Sequence, residues 1–308
     1  NLPVSSLLFP PHKPPYKELI RIFVDEVDLG LSVPLEFFPL ASGFVGGDMI
    51  ACLLALNDVP RGTLLIDVGT NAELALWDGE HWWVTSAAAG PAFEGGNIGT
   101  GMIMADGAVT DVQLAGDRLQ LIVAGGGPPR GLCGSGLAAL VAVARQAGLI
   151  DGTGRILAAE EVETNLGRYS VEHEGAWAIR FHRDAVGDLI LSQGDLRNFQ
   201  LAKGAVRAGT QVLLERGGFA PDDVSQVLIT GALGTALPVE ILKRVALLPE
   251  PMLDKTSFIA NGVLAGLQAY LTSVDGQQRL ADLVSTIQPF PLSGTPSFER
   301  AFFSALEF

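Results

Sequence analysis

Residues 63–71 read TLLIDVGTN, an apolar run that stops on a carboxylate and then turns on glycine. An apolar run without alternation suits a strand covered on both faces, as found inside layered α/β structures. The turn would gather Asp67, the backbone around Gly69, the Thr70 hydroxyl and the Asn71 amide at one strand end. Glycine lets a backbone approach a polyphosphate, and Thr70 and Asn71 can donate to its oxygens. A carboxylate repels phosphate unless a divalent cation lies between them, so this reading assigns Asp67 to Mg²⁺. The plainer alternative is a hairpin in which glycine supplies the turn and Asp67 only stabilises it.

The rest of the chain alternates strands with helices, which argues for an α/β layered domain. Strands are expected near 63–67, 71–77, 81–86, 187–191, 226–230 and 288–292. Helices are expected after the glycines at 134–136, then near 195–216, 238–244, 259–272, 277–285 and 296–305. Residues 151–186 read as a polar insertion with short strands. The first 30 residues are irregular, because Pro10, Pro11, Pro14 and Pro15 forbid a continuous helix. Ser192 and Asp195 form an S-x-x-D capping box at the start of the long helix, a structural role for that acid.

At 308 residues, 48% hydrophobic and 18% charged, the chain is long enough for about two domains and too apolar for disorder. A formal charge of −14 opposes nucleic acid and anionic membranes as partners. Cys52 and Cys133 make no disulfide framework, and the four histidines show no metal-ligand spacing. No apolar run has the length of a membrane span, and no signal peptide is present, so a cytoplasmic location is expected.

Around TLLIDVGTN lie a Gly-rich turn running into a helix (ASGFVGGDMIACLLAL), the segment SAAAGPAFEGGNIG, the strand and turn QVLITGALGTALP, and the small-residue helix SFIANGVLAGLQAYL. In that order they resemble the superfamily of acetate and sugar kinases, heat-shock ATPases and actin. The resemblance implies an actin-like, ribonuclease H-like ATPase fold that binds ATP with Mg²⁺. The first phosphate loop of that superfamily, a DxGT-like turn, has no counterpart before residue 60. By resemblance, Asp48 at the start of the connecting helix would position the attacking water, against a plain helix-dipole role. Gly95 and Gly96 would lie beside the phosphates. Asn97 stands where the heat-shock branch has an acid, so that role is not carried over; Glu94 is read as a helix start or a metal contact. Gln200, Lys203 and Arg207 share one helix face, and the resemblance makes them one side of an adenosine clamp whose other side is the turn of Gly231 and Gly234. The alternative for that face is simple solvation. GLCGSG at 131–136 reads either as an anion loop or, preferably, as close backbone packing.

The runs DVGTNAELAL, SAAAGPAFEGGNI, DLRNFQLAKGAVRAG, ITGALGTALP and PFPLSGTPSFERAFFSALEF are together similar to the C-terminal domain of the reductive activators of corrinoid proteins. The likeness runs from about residue 40 to the end. It implies that residues 1–62, with the connecting helix, belong to a preceding lobe. Residues 63–308 would form the ATPase domain, with an insertion near 100–190. It further implies a homodimer and a corrinoid protein as partner. ATP would drive reduction of an inactive Co(II) corrinoid to Co(I) for methyl transfer, with a [2Fe–2S] cluster in an N-terminal domain outside this chain. A start at Asn1 and the missing first phosphate loop read as a fragment of such a protein. Two other readings stay open: a nucleotide-binding dimerisation module without turnover, and a sugar- or acetate-type kinase.

Overall fold

In the computed structural model, which describes residues 18, 20–22, 35–233, 237–292 and 294–308, the run at 63 becomes the strand Thr63–Val68. It lies inside a six-stranded sheet ordered Thr256–Phe258, Gln226–Gly231, Thr63–Val68, Ala72–Trp77, Trp82–Ala87, Ile287–Pro289. Three consecutive strands from Thr63 to Ala87 form an antiparallel meander, while Gln226–Gly231 and Thr256–Phe258 add parallel to its first strand. This is the α/β layered pattern that the alternation of strands and helices predicts.

Alternation explains why both faces are apolar. Leu64, Ile66 and Val68 point into the larger core, which also holds Phe199 and Val206 of the long helix Gln193–Gly217. Leu65, with Ala75 and Val84, points into a second core beneath the connecting helix Gly47–Leu54. Ser192 and Asp195 cap the long helix as expected: Asp195 N–H donates to Ser192 Oγ at 3.1 Å, and Ser192 N–H donates to Asp195 Oδ2 at 2.9 Å. Asp195 also accepts from Gly99 N–H at 2.7 Å, tying the helix to the loop before the insertion.

Two three-stranded sheets fill the region between residues 108 and 191. The second, from Ser170 to Leu191, accords with the short strands expected there. The first pairs Ala108–Ala115 with Arg118–Val123 and Gly131–Leu132, a hairpin the pattern reading passed over. Thr256–Phe258 is a further short strand, and the helix expected from 259 starts at Gly262 and ends at Thr272. Most of the proline-rich start lies outside the described residues; within it, Ile20–Ile22 pairs antiparallel with Leu35–Phe37.

The connecting helix crosses Gly262–Thr272 at very close range. A Cβ on Gly266 would sit 1.7 Å from the Ala51 carbonyl oxygen, so only glycine permits the crossing. Gly266→Ala is therefore expected to cost about 1–3 kcal/mol or more by overpacking, read as a lower urea midpoint. Gly152→Ala, where an added Cβ meets nothing, should leave that midpoint in place.

Candidate functional site

The two central parallel strands end level with each other. Asp67 is in register with Thr230 and Val68 with Gly231, and Ala232 N–H donates to the Val68 carbonyl at 2.6 Å. Gly231 has φ +87°, and a Cβ there would fall 2.4 Å from Asp67 Oδ1 and 2.3 Å from the Val68 carbonyl oxygen. Glycine is thus what lets the second turn lie against the carboxylate of the first. Gly234 lies outside the described residues.

The 69–71 turn is more internally bonded than its sequence suggests. Gly69 N–H donates to the Asn71 carbonyl at 2.9 Å, so it is not a bare donor. Thr70 Oγ1 donates to Glu94 Oε2 at 2.5 Å, which spends the hydroxyl proton on a carboxylate. The Asn71 side chain is exposed. Gly95 and Gly96 end the short 3₁₀ turn Pro91–Glu94 and are held by sterics: added Cβ atoms would meet Met102 N at 2.7 Å and Pro91 Cβ at 2.7 Å respectively. A cleft of about 540 Å³ opens beside these strand ends. Asp67, Gly69, Glu94, Gly231 and Ala232 form its polar part, and Phe93, Met102, Ile103 and Met104 an apolar part. No Lys or Arg is among the described residues lining it. Gly134 and Ser135, which head the helix Gly134–Gln146, complete the wall with Cys133. Their setting favours packing, since a Cβ on Gly134 would lie 1.9 Å from the Phe93 carbonyl oxygen.

Carboxylates crowd this point. Asp48 is exposed in the first turn of the connecting helix and accepts from Met49 N–H at 2.8 Å. Cys52, four residues on and so on the same helix face, is buried and donates from Sγ to Asp67 Oδ2 at 3.7 Å. Burial first, and then the charge of Asp48, push the Asp67 carboxyl up, while the Cys52 hydrogen bond pulls it back. Burial, followed by the charge and hydrogen bond of Asp67, pushes the Cys52 thiol far up. Glu73 pairs across the hairpin with Asp67; burial, then Asp48 and Asp67, raise its carboxyl to about 7.

Comparison with known proteins follows the same lines. Residues 61–308 match the family described as the C-terminal domain of RACo, the ASKHA domain. The chain belongs to this family. Among curated relatives of this ASKHA domain, the corrinoid activation enzyme RamQ of Eubacterium limosum is 32% identical over 78% of the chain and 41% of the relative. The [Co(II) methylated amine-specific corrinoid protein] reductase of Methanosarcina barkeri is 27% identical over 67% of the chain and 38% of the relative. A solved reductive activator for corrinoid, iron–sulfur protein superposes with a TM-score of 0.88 at 27% identity, over 98% of this chain and 49% of that one. The chain thus spans about two fifths of its curated relatives and half of the solved structure.

Within the ASKHA domain the adenosine-clamp face needs correcting. Gln200 and Lys203 are buried and do not line the cleft. Gln200 Nε2 donates to the carbonyls of Thr153 at 3.0 Å and Leu306 at 2.8 Å, and Lys203 Nζ donates to the Glu307 carbonyl beneath the Phe308 ring. Arg207 donates to the carbonyls of Ala246 and Leu248, at 3.2 and 2.8 Å. The shared face is real, but residues 306–308 and the 246–248 turn cover it. Burial, then Arg207 and Arg145, lowers the Lys203 ammonium to about 7.

Cys52 and Glu73 join the site without a nucleotide motif of their own. Helical spacing from Asp48 finds the first, and hairpin register around the Gly69 turn finds the second. Among the described residues no group of three or more His, Cys, Asp or Glu is arranged to hold a metal by itself, and no helix is long and apolar enough to cross a membrane.

Glu73 gives this ASKHA domain a pH dependence with a definite sign. Its folded-state value of about 7 exceeds the ordinary 4.5, so the folded state holds the extra proton between those values. That contribution is complete below pH 4.5 and is lost as pH rises through 7. Glu73→Gln should therefore flatten the loss of stability across this window, with a gain on the order of 2 kcal/mol at pH 8 by thermal or urea unfolding.

Proposed function

We propose that this chain is the ATP-binding domain of a reductive activator of corrinoid proteins. The observation that carries this reading is its ASKHA family membership together with relatives named as corrinoid activation and Co(II) corrinoid reduction enzymes. ATP is taken up where the turn after Asp67 meets Gly231 and Ala232. The described residues lining the cleft offer carboxylates and glycine backbone but no cationic side chain, so the polyphosphate enters as its Mg²⁺ complex, with Asp67 as the protein's metal contact. Bound Mg²⁺ neutralises the phosphate charge that the carboxylates would otherwise repel. Thr70 is held by Glu94 and orients the turn, while Asn71 is free to reach a phosphate oxygen from the exposed side.

Nucleotide binding favours the conformation in which the partner's Co(II) corrinoid accepts one electron and becomes Co(I), ready for methyl transfer. A ligand can shift such an equilibrium only by its difference in affinity for the two states. The electron comes from an iron–sulfur cluster, expected as [2Fe–2S], in an N-terminal domain. The activator works in the cytoplasm as a homodimer. Its mean hydropathy of +0.34 and the exposed Leu264, Leu271 and Val274 favour an interface, and light scattering showing a monomer at high concentration overturns that part.

Asp48 and Asp67 divide the work. In the full-length protein, Asp67→Asn should weaken Mg²⁺-dependent nucleotide binding. Asp48→Asn should leave binding nearly intact and lower hydrolysis by about tenfold or more, since each 1.36 kcal/mol of barrier is a factor of ten. Nucleotide calorimetry and phosphate release, with and without a corrinoid protein, measure both. Hydrolysis by Asp48→Asn at the parental rate removes Asp48 from the chemistry. Binding without turnover or response to the corrinoid protein instead makes the domain a nucleotide-sensing module.

A further inference from the structure

We infer that Cys52 is a positioning residue for Asp67, a weak donor that aims the carboxylate at the metal-bound nucleotide. The inference rests on the nucleotide site proposed above and adds to it a residue with no metal- or phosphate-contacting role of its own.

The two oxygens of Asp67 lie in different surroundings. Oδ1 lies toward Gly231, 2.4 Å from where a Cβ there would stand, and Oδ2 takes the Cys52 thiol at 3.7 Å. The sulfur has little room to leave. Cys52 is 2% exposed, and a Cβ on Gly262 would lie 3.1 Å from its Sγ and 2.9 Å from Thr230 Oγ1. Gly262 N–H in turn donates to Thr230 Oγ1 at 3.1 Å, beside the strand that pairs with Asp67. The connecting helix, the Gly262 helix and the Asp67 strand therefore meet at this sulfur, and Thr230 of the neighbouring strand holds Gly262 beside it.

The choice of a thiol has a physical reason. Lys or Arg here would cancel the charge that must face a cation, whereas S–H donates weakly, fixing a direction while leaving Asp67 anionic. A purely apolar residue of the same size would fill the space and leave the carboxylate free to turn. Because Cys52 rides on the same helix as Asp48, a displacement of that helix would re-aim Asp67 at the same time.

Three variants separate aiming from packing. Binding of ADP to the chain is measured by calorimetry with and without Mg²⁺. Cys52→Val keeps the bulk and loses the donor; it should lose about 3- to 10-fold of the Mg²⁺-dependent gain in affinity, as expected for about one hydrogen bond, with metal-free binding unchanged. Cys52→Ser keeps a donor and should stay within about twofold of the parent on the same scale. Val equal to the parent, or Ser as poor as Val, overturns the inference in favour of packing. A parent chain that binds no nucleotide overturns the proposed function instead, and the S–H infrared band then tests the contact alone. The band lost in Cys52→Val should lie below a free thiol's frequency and rise in Asp67→Asn, a weaker acceptor; a band that Asp67→Asn leaves in place overturns the inference.

Discussion

Two neighbouring parallel strands that end at the same level govern what this molecule can do. Parallel pairing of Thr63–Val68 with Gln226–Gly231 brings two chain reversals, far apart in sequence, to one rim of the sheet. In open α/β sheets ligands sit outside the carboxyl ends of the strands, where connections diverge. Here the rim is narrowed further because Gly231 has no side chain to hold the second reversal away from Asp67. The cleft, the carboxylate group and the junction of helices all follow from that register. A slip of one residue would turn Asp67 into the core and an apolar side chain into the cleft.

Acidity is concentrated around this rim at a cost that burial makes large. Asp48, Asp67 and Glu73 act on one another from three elements, and each element is fixed independently by its own apolar face. Such mutual repulsion is relieved by a proton or by a cation. Burial, with that repulsion added, favours the proton on Glu73; a cation is the chemistry expected of a Mg²⁺-nucleotide site.

The central strands were legible because burial on both faces leaves an unbroken apolar run with glycine after it. The long helix and its Ser192–Asp195 cap were legible for the same kind of local reason. What failed was the step from sharing a face to facing solvent or ligand. Gln200, Lys203 and Arg207 do share a side of the helix, but periodicity carries no information about which distant segment covers it, and residues 306–308 are over 100 positions away from Gln200 and Lys203. The Ala108–Val123 hairpin carries a readable signal, two alternating runs around Gly116 and Asp117, but no nucleotide motif. Thr256–Phe258 is too short for alternation to register at all. Cysteine count and spacing speak only to disulfides and metal ligation, and the contact of Cys52 with Asp67 belongs to neither class.

The crossing of Gly266 over Ala51 has a mechanical consequence. Where helices mesh through interdigitated side chains, sliding one past the other requires rotamers to reset, and packed contacts move between discrete arrangements. Here main chain rests on main chain, with no side chain interposed from Gly266. At that one point a small rotation would meet less hindrance than compression, although Ile50 and Leu53 share an apolar cluster with Val263 and Tyr270 around it. Such a rotation would swing the first turn of the connecting helix more than its middle, because the first turn lies farther from the pivot. A slight turn at Ala51 would thus give a larger arc at Asp48, a lever with its fulcrum set by a missing methyl group.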